Sequence, residues 1–424
     1  MGEIANPLEQ LSLATLRQRT SAKWRTYPAD VLPLWVAEMD VPLAEPVADA
    51  LRRVIELGDT GYPAGTAYAE SLASFASRRW GWSPDPSLMR PVPDVMRGAA
   101  EAIKVLTSPG DAVVVNSPVY PPFFVYTQTE GRRVIESPLT PSGRLDLDGL
   151  ERSFSEARTT SSSVVYLLCS PQNPTGAVHS RSELEAVAAL ARRHGVHVVV
   201  DEIHAPLVPP TGAAGIGPTG AADGPEFVPY LSVDPHGISL MSASKAWNLP
   251  GLKAALLIPG EEAAPYAQAL PKELQYGPSH VGLLAQTAAY THGEPWLDAL
   301  LQGLAANREL LASRLPELLP AVEWTPPEAT YLAWLDFTAY GFDDAPTPGI
   351  ETPAVDTPAP ESSAEAVARR GPARFLLKEA KVALTAGHPF GTGGQRHARL
   401  NFATSQEILT EALERMSRAL SSRL

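Results

Sequence analysis

Short runs of β-branched and other apolar residues alternate with helix-forming stretches through the middle of the chain. Four of these runs are bounded by polar or turn residues, which is the pattern of strands buried on both faces. In chain order they are DAVVVNSP (111–118), SSVVYLLCS (162–170), VHVVVDE (196–202) and GISLMSAS (237–244). The pattern predicts a largely parallel sheet in this part of the chain.

A helix is predicted between two of these strands, over SRSELEAVAALARRHG (180–195). Its apolar residues from Leu184 to Ala191 recur at helical spacing and share one face. Gly195 supplies the residue type that commonly ends a helix. Strands that alternate with helices indicate an α/β sheet with right-handed crossover connections.

The C-terminal part has a different order of elements. TYLAWLDF (330–337) and ARLNFA (398–403) are predicted strands, and TSQEILTEALERMSRALSSRL (404–424) is a predicted amphipathic helix. Thr404 and Glu407 suit a capping box at the start of this helix. These elements are typical of a smaller α+β unit.

A chain of 424 residues is long enough for two domains in one compact unit. We predict an N-terminal arm at 1–44 that joins the small domain, a large α/β domain at 45–290 and a small domain at 291–424. Two stretches interrupt this pattern. The first, 209–225, is rich in Gly, Pro and Ala and is predicted to be a surface insertion. The second, 343–365, is rich in Pro, cannot form a core and is predicted to be a mobile loop.

Composition excludes several classes of function. The formal net charge of −13 argues against nucleic acid as the main partner, because phosphate binding needs a basic face. The single cysteine, Cys169, excludes an internal disulfide framework and a cysteine-rich metal site. The chain shows neither a run of about 18 apolar residues nor a secretory signal. We therefore expect a cytoplasmic protein that has no membrane partner.

Lys245 stands in MSASKAWNLPGL, directly after the last of the four predicted strands. The burial of an ammonium group in an apolar setting is costly, so a lysine at this position needs an explanation. Covalent chemistry offers one, because a lysine with a depressed pKa can form an imine with a carbonyl compound.

Pyridoxal phosphate is a carbonyl cofactor for which the sequence offers each contact. Asp201 ends a predicted strand at the edge where open α/β sheets place ligands, and its carboxylate can keep the pyridine nitrogen protonated. Asn173 in SPQNPTG and His204 in DEIH can donate to the ring oxygen. Tyr120 in NSPVYPPFF can stack on the ring.

Contacts to the cofactor phosphate are predicted from three parts of the chain. Ser242 and Ser244 flank the lysine and can donate hydrogen bonds, and Lys253 can add a positive charge. PDVMRGAAEAIKVL predicts a helix whose N-terminus would offer the backbone N–H groups of Val95 and Met96.

Each candidate also has a structural explanation when it is considered alone. Asp201 fits a helix cap and Tyr120 fits a core aromatic. Arg399, in GGQRHARLNFA, fits a surface ion pair as well as a forked bond to a carboxylate. The histidines include no HExxH pair, so a metal role for His204 is disfavoured and no metal is expected.

The ordered set of motifs resembles fold-type I pyridoxal-phosphate enzymes of the aminotransferase class I and II superfamily. The motifs are WVAEMD, GYP, SPVYPPF, SPQNPTG, DEIH, SKAWNLPGL and RLNFA. Four of them are most similar to the cystathionine β-lyase or C–S lyase branch, namely WVAEMD, SPVYPPF, DEIH and SKAWNLPGL. The resemblance implies an α/β fold with a mostly parallel, seven-stranded type of sheet in a large domain, and a smaller α+β C-terminal domain.

The resemblance also implies roles for matching positions. Lys245 matches the lysine that binds the cofactor covalently. Tyr62 matches a tyrosine that reaches the phosphate of the neighbouring subunit, which implies a homodimer with shared sites. Arg399 matches the arginine that binds the substrate α-carboxylate, and Trp35 is expected beside the substrate.

Some positions depart from the pattern of the branch. Ser170 and Gln172 stand where Asn and His are usual, and Glu38 stands where Asp is usual. Asp94 replaces a small residue near the expected phosphate, where the glycine of a tight turn is also missing. The departures around the pocket leave the substrate open.

The branch implies a carbon–sulfur lyase that acts by α,β-elimination on a cystathionine-like or S-substituted cysteine and gives thiol, pyruvate and ammonia. An aminotransferase on an amino acid substrate needs the same main residues and stays open. So does a secondary-metabolism enzyme that acts on a cysteine conjugate. A pyridoxal-dependent regulator is disfavoured, because no basic helix-turn-helix precedes the fold.

Overall fold

The computed structural model describes residues 4–210, 225–342, 371–421 and 423. The predicted loop at 343–365 lies outside the described residues, as does most of the predicted insertion at 209–225. Within the described residues, no helix combines the length and apolar character that a membrane span requires.

The strands of the described residues are, in chain order, β1 (Leu32–Pro33), β2 (Arg90–Val92), β3 (Ala112–Val115), β4 (Arg133–Glu136), β5 (Val164–Cys169), β6 (His197–Asp201), β7 (Ile238–Met241), β8 (Ala255–Pro259), β9 (Glu323–Trp324), β10 (Leu332–Asp336), β11 (Val382–Ala383), β12 (Thr385–Ala386) and β13 (His397–Asn401). The α-helices are α1 (Leu13–Leu16), α2 (Ala22–Arg25), α3 (Glu45–Leu57), α4 (Ala67–Trp80), α5 (Val95–Leu106), α6 (Pro122–Thr129), α7 (Leu147–Thr160), α8 (Arg181–His194), α9 (Ala264–Gln268), α10 (His280–His292), α11 (Glu294–Leu318), α12 (Pro372–Phe375) and α13 (Gln406–Leu420).

A seven-stranded sheet has the spatial order β2-β8-β7-β6-β5-β3-β4. β8 pairs antiparallel with both of its neighbours, and the other pairs are parallel. α5 and α6 cover one face and α7 and α8 the other, which explains why β3 and β5 are buried along their whole length. The predicted α/β class and mostly parallel sheet are confirmed.

Helix α8 begins and ends as its sequence predicts. Ser180 and Glu183 form a capping box at its N-terminus, and Gly195 adopts a left-handed conformation, with φ of 62°, at its C-terminus. The left-handed region costs glycine no steric strain, so the chain can turn sharply into β6.

A second, antiparallel sheet, ordered β12-β13-β10-β9, is formed by the C-terminal part. The predicted strands overlap β10 and β13, and the predicted helix contains α13. The predicted cap is wrong, because Ser405 rather than Thr404 accepts the N–H of Ile408, at 3.3 Å. Thr404 is fully buried and its carbonyl accepts a bond from Asn307 at 2.7 Å, which keeps it in the preceding loop.

The segment 34–40 belongs to the N-terminal arm, and side chains from distant parts of the chain hold its backbone. Asn401 donates through Nδ2 to the two carbonyls that flank Ala37, each at 2.7 Å. Asn248 accepts the N–H of Met39 at 2.8 Å and donates to its carbonyl at 2.9 Å. These bonds fix the direction of the Ala37 carbonyl.

Residues earlier in the arm contact the same segment through a buried ion pair. Nζ of Lys23 lies 2.8 Å from Oδ2 of Asp40, and both side chains are almost completely shielded from solvent. The ammonium also donates to the Glu38 carbonyl at 3.0 Å, and Trp24 Nε1 donates to Asp40 Oδ1 at 3.1 Å. The arm is therefore part of the folded core, since a buried charge needs its partner.

Candidate active site

A cavity of about 270 Å³ opens at the carboxyl end of the large sheet. It brings together ten of the thirteen predicted site residues, which are Val95, Met96, Tyr120, Asn173, Asp201, His204, Ser242, Ser244, Lys245 and Lys253. Parallel strands end at this edge, so residues from distant parts of the chain meet there. Tyr62, Arg399 and Trp35 do not line the cavity.

Asp201 is the last residue of β6 and points a buried carboxylate into the cavity. The Ile203 N–H donates to its Oδ1 at 3.0 Å. Burial raises the pKa of Asp201 to about 6, although this bond and the charge of Lys245 act in the opposite direction. Above that pH the site holds a buried anion, which matches the protonated pyridine nitrogen of pyridoxal phosphate.

His204 lies beneath the same cavity and is 2% exposed. Burial, together with the charges of Lys245 and Arg399, lowers its pKa to about 3, so the imidazole is neutral at physiological pH. Its Nδ1 is buried and has no hydrogen-bond partner among the described residues. An unsatisfied polar atom in this position fits a ligand oxygen, such as the ring oxygen of the cofactor. The residues that the structure describes include no cluster of side chains that could bind a metal ion.

Lys245 lies in the turn after β7, and its half-buried side chain reaches into the cavity. Its Nζ donates to the Ala37 carbonyl at 3.2 Å. The hydroxyl of Tyr331 donates to the same oxygen at 3.1 Å. The backbone segment that Asn401 and Asn248 hold in place therefore provides an acceptor for the lysine.

Arg399, on β13, is 2% exposed and lies behind the wall of the cavity. Its Nη1 donates to Asn173 Oδ1 at 3.1 Å, and its Nη2 donates to the Trp35 carbonyl at 3.2 Å. The guanidinium also lies over the ring of Phe390, 5.2 Å from the centroid. Trp35 thus contacts the predicted substrate arginine through its backbone, while its ring packs edge-on against Tyr27.

The predicted phosphate contacts converge on the N-terminus of α5. Val95 and Met96 occupy the first two helical positions, whose N–H groups have no partner within the helix. Ser242 Oγ lies 2.7 Å from the Ala254 carbonyl and 3.0 Å from Gln286 Oε1, so its proton is engaged within the protein. The cradle nevertheless combines N–H donors, Ser244 and a cationic side chain from Lys253, which is the donor set that a phosphate requires.

Tyr62 is 85% exposed and contacts the ring of Tyr276 edge-on, with 6.1 Å between the centroids. Tyr62 is not among the residues that line the cavity, so its expected contact with a neighbouring subunit stays a prediction.

Other cavity residues were missed by the sequence analysis. Cys169 and Tyr126 belong to this group, and so does Ala37, whose contribution is a backbone carbonyl without a side-chain signature.

Comparison with known proteins agrees with this geometry. Residues 68–416 match the family described as aminotransferase class I and II. A Mycobacterium tuberculosis protein provisionally named cystathionine β-lyase is 53% identical over 99% of this chain and 100% of its own length. The cystathionine β-lyase of Corynebacterium glutamicum is 34% identical over 96% of this chain and 99% of its own.

A solved structure shows the same overall arrangement. The crystal structure of a Corynebacterium diphtheriae protein, described provisionally as a PLP-dependent β-cystathionase, superposes with a TM-score of 0.81. It is 34% identical and covers 97% of this chain and 98% of its own. The chain therefore belongs to the aminotransferase class I and II family, within the cystathionine β-lyase branch of its fold-type I pyridoxal-phosphate enzymes.

Proposed function

We propose that the protein is a pyridoxal-phosphate-dependent carbon–sulfur lyase. It acts by α,β-elimination on a cystathionine-like or S-substituted cysteine and gives a thiol, pyruvate and ammonia. One observation carries the proposal: a single cavity presents Lys245, Asp201 and Asn173, with Arg399 bonded to the asparagine directly behind it. The similarity to proteins named cystathionine β-lyase along nearly the whole chain supports elimination as the reaction.

The residues of the cavity fit the cofactor at both ends and on one face. Pyridoxal phosphate supplies an aldehyde for an amine and a ring that takes up the electrons released when a bond at Cα breaks. Asp201 would hold a proton on the ring nitrogen through its buried carboxylate, and His204 would contact the ring oxygen. Tyr120 would cover the face of the ring, and the N-terminus of α5 would bind the phosphate.

Lys245 has two roles in the proposed reaction, since its amine binds the cofactor and later moves a proton. We assign removal of the Cα proton to Nζ, because general-base catalysis requires a neutral amine within reach of the substrate. The bond to Ala37 shows where that nitrogen can rest inside the cavity. Three of the residues around that position, Ala37, Tyr331 and His204, are buried.

Arg399 and Asn173 orient the substrate. A guanidinium binds a carboxylate through two parallel hydrogen bonds, which fixes both the position and the rotation of the amino acid. That rotation decides which bond at Cα faces the lysine. A buried arginine at this place therefore selects proton removal, and the thiolate leaves from Cβ afterwards.

We also propose that the protein works as a cytoplasmic homodimer. Tyr62, Tyr276, Leu57 and Ile55 are exposed apolar or aromatic residues, and a second copy would shield such side chains from water. The family resemblance implies that Tyr62 would reach the phosphate bound by that copy. Analytical ultracentrifugation tests the assembly, and a species of 45.2 kDa alone, the mass of one chain, would contradict it.

The elimination reaction can be tested directly on the purified protein with added pyridoxal phosphate. Incubation with L-cystathionine should release pyruvate, measured by coupled reduction to lactate, together with an equal amount of thiol. The Lys245→Ala variant should release neither. Conversion of the cofactor into its amine form without pyruvate would show an aminotransferase instead.

A further inference from the structure

Asp94 places a carboxylate inside the cradle that the proposed function assigns to the cofactor phosphate. It lines the same cavity as Val95, Met96 and Lys253. Its Oδ1 accepts the N–H of Arg97 at 2.8 Å, and its Oδ2 lies 3.2 Å from Lys253 Nζ. A phosphate site gains affinity from positive charge and N–H donors, so a carboxylate here has the wrong sign.

The two cationic side chains near this cradle, Lys253 and Arg97, are each paired with a carboxylate. Lys253 is paired with Asp94, while Arg97 lies 3.8 Å from Glu130 and also pairs with Glu101. Among the described residues that line the cavity, the remaining cation is Lys245, which reacts with the aldehyde. The phosphate must therefore share Lys253 with Asp94.

Asp94 has two opposing effects on phosphate binding. It restrains Lys253 near the site, which favours binding, and it repels the phosphate, which disfavours binding. The first effect is small, because Lys253 is 60% exposed and an ion pair at that exposure contributes little. Asp94 also uses the N–H of Arg97, which a neutral small residue would leave for the anion. Repulsion should dominate.

We propose that Asp94 lowers the affinity of the protein for pyridoxal phosphate by directly opposing the phosphate charge. The inference rests on the proposed function for the identity of the cofactor. Its consequence is a cofactor that exchanges with the surrounding pool, so that the loaded fraction follows cofactor supply.

The Asp94→Asn variant tests the charge alone. Asparagine caps a helix as well as aspartate does, so α5 keeps its N-cap bond. We expect the dissociation constant for pyridoxal phosphate, measured by absorbance titration, to fall about tenfold. The dissociation constant for pyridoxal, which has no phosphate, should stay unchanged.

Two further variants separate the possible causes. Asp146 caps α7 away from the cavity by accepting the N–H of Gly149 at 3.0 Å, so Asp146→Asn is a matched control that should change neither constant. Lys253→Gln should weaken binding of pyridoxal phosphate. If Asp94 repels the phosphate, Asp94→Asn should tighten binding in the Lys253→Gln background as well.

Three results would overturn the inference. Weaker or unchanged binding of pyridoxal phosphate by Asp94→Asn would show that the carboxylate does not oppose the phosphate. If pyridoxal binding tightens equally, the effect does not involve the phosphate. If the tightening for pyridoxal phosphate disappears in the Lys253→Gln background, direct repulsion is ruled out. If the titration shows the expected shift but L-cystathionine yields no pyruvate, only the proposed function fails. If the unaltered protein does not bind pyridoxal phosphate, both fail.

Discussion

Arg399 in the small sheet donates a hydrogen bond to Asn173 in the large domain, 226 residues earlier in the chain, with 3.1 Å between Nη1 and Oδ1. Both side chains are buried. The bond places the expected anchor for the substrate carboxylate beside the expected donor to the ring oxygen. Substrate binding and cofactor chemistry are therefore connected through one pair of side chains.

Replacement of Arg399 by lysine should weaken substrate binding more than it affects the cofactor. Lysine keeps the charge but loses the fork that binds both carboxylate oxygens. We expect KM for L-cystathionine to rise about ten- to a hundredfold, with a much smaller change in the dissociation constant for pyridoxal phosphate. Arg152→Lys, at an exposed position, is the control. An unchanged KM in Arg399→Lys would exclude a role in binding the carboxylate.

Reduction with borohydride should attach the cofactor permanently to Lys245. We expect mass spectrometry of the digested protein to find the added mass on the peptide that contains this residue. Lys245→Ala should lose both the labelled peptide and the elimination activity, while Lys378→Ala, at an exposed position, should keep both. Labelling at another lysine would reject the assignment.

The contribution of Asp201 to the stability of the cofactor-free protein should fall as pH rises through the range in which this carboxyl group ionises. Its folded-state pKa of about 6 lies above the ordinary value of 3.8, so the folded state holds this proton more tightly than the unfolded state. The penalty is absent below about pH 4 and complete above about pH 6. It amounts to roughly 3 kcal/mol at pH 8.

Cofactor-free Asp201→Asn should therefore unfold at higher urea concentration than the unaltered protein at pH 8, and the difference should vanish near pH 4. The neighbouring Glu202 provides a control, because burial raises its pKa to about 7 while it bonds Tyr230 and Ser239. Added pyridoxal phosphate should remove the loss of stability that ionised Asp201 causes, and it should not change the loss that ionised Glu202 causes. Equal pH dependence with and without the cofactor would contradict the pairing with the ring nitrogen.

Tyr331→Phe should move the acidic limb of the pH–kcat profile to higher pH. Without the tyrosine hydroxyl, the Ala37 carbonyl becomes a stronger acceptor for Lys245 and favours the protonated amine. We expect a shift of about half a pH unit to one unit. Tyr340→Phe, another buried tyrosine, should leave the profile in place. A uniform loss of kcat without a shift would indicate a packing role only.

Lys23→Met should destabilise the whole protein, although Lys23 does not line the cavity. The substitution leaves Asp40 buried without its cation, at a cost of about 3 kcal/mol. Urea unfolding measures this loss. Addition of Asp40→Leu should restore part of the stability, and failure to do so would show that the charge pairing does not explain it.

The sequence predicts the large sheet well, because strands such as Val164–Cys169 are apolar along their whole length and end at polar residues. It predicts β2 less well, since this short segment contains a proline and lies at the edge of the sheet. The cap of α13 was predicted at the wrong residue, Thr404, because local sequence alone does not decide its position. Two adjacent hydroxyl residues suit the start of α13, and tertiary bonds decide between them.

The candidate site was predictable where a side chain carries the chemistry, as at Asp201 and Lys245. It was not predictable where the backbone does so, because any residue could supply the carbonyl of Ala37. Tyr331 was missed for the same reason, since its importance follows from that acceptor. The pairing of Asp94 with Lys253 depends on how β8 and α5 are placed, which local patterns do not encode.

The shape of segment 34–40 is dictated by Asn248 and Asn401, which bind its amide groups and largely ignore the identity of its side chains. Side chains of the segment contribute as well, since Asp40 pairs with Lys23 and both Leu34 and Met39 are fully buried. Loss of either asparagine would therefore release only the peptide groups around Ala37, and with them the oxygen atom that the lysine amine reaches.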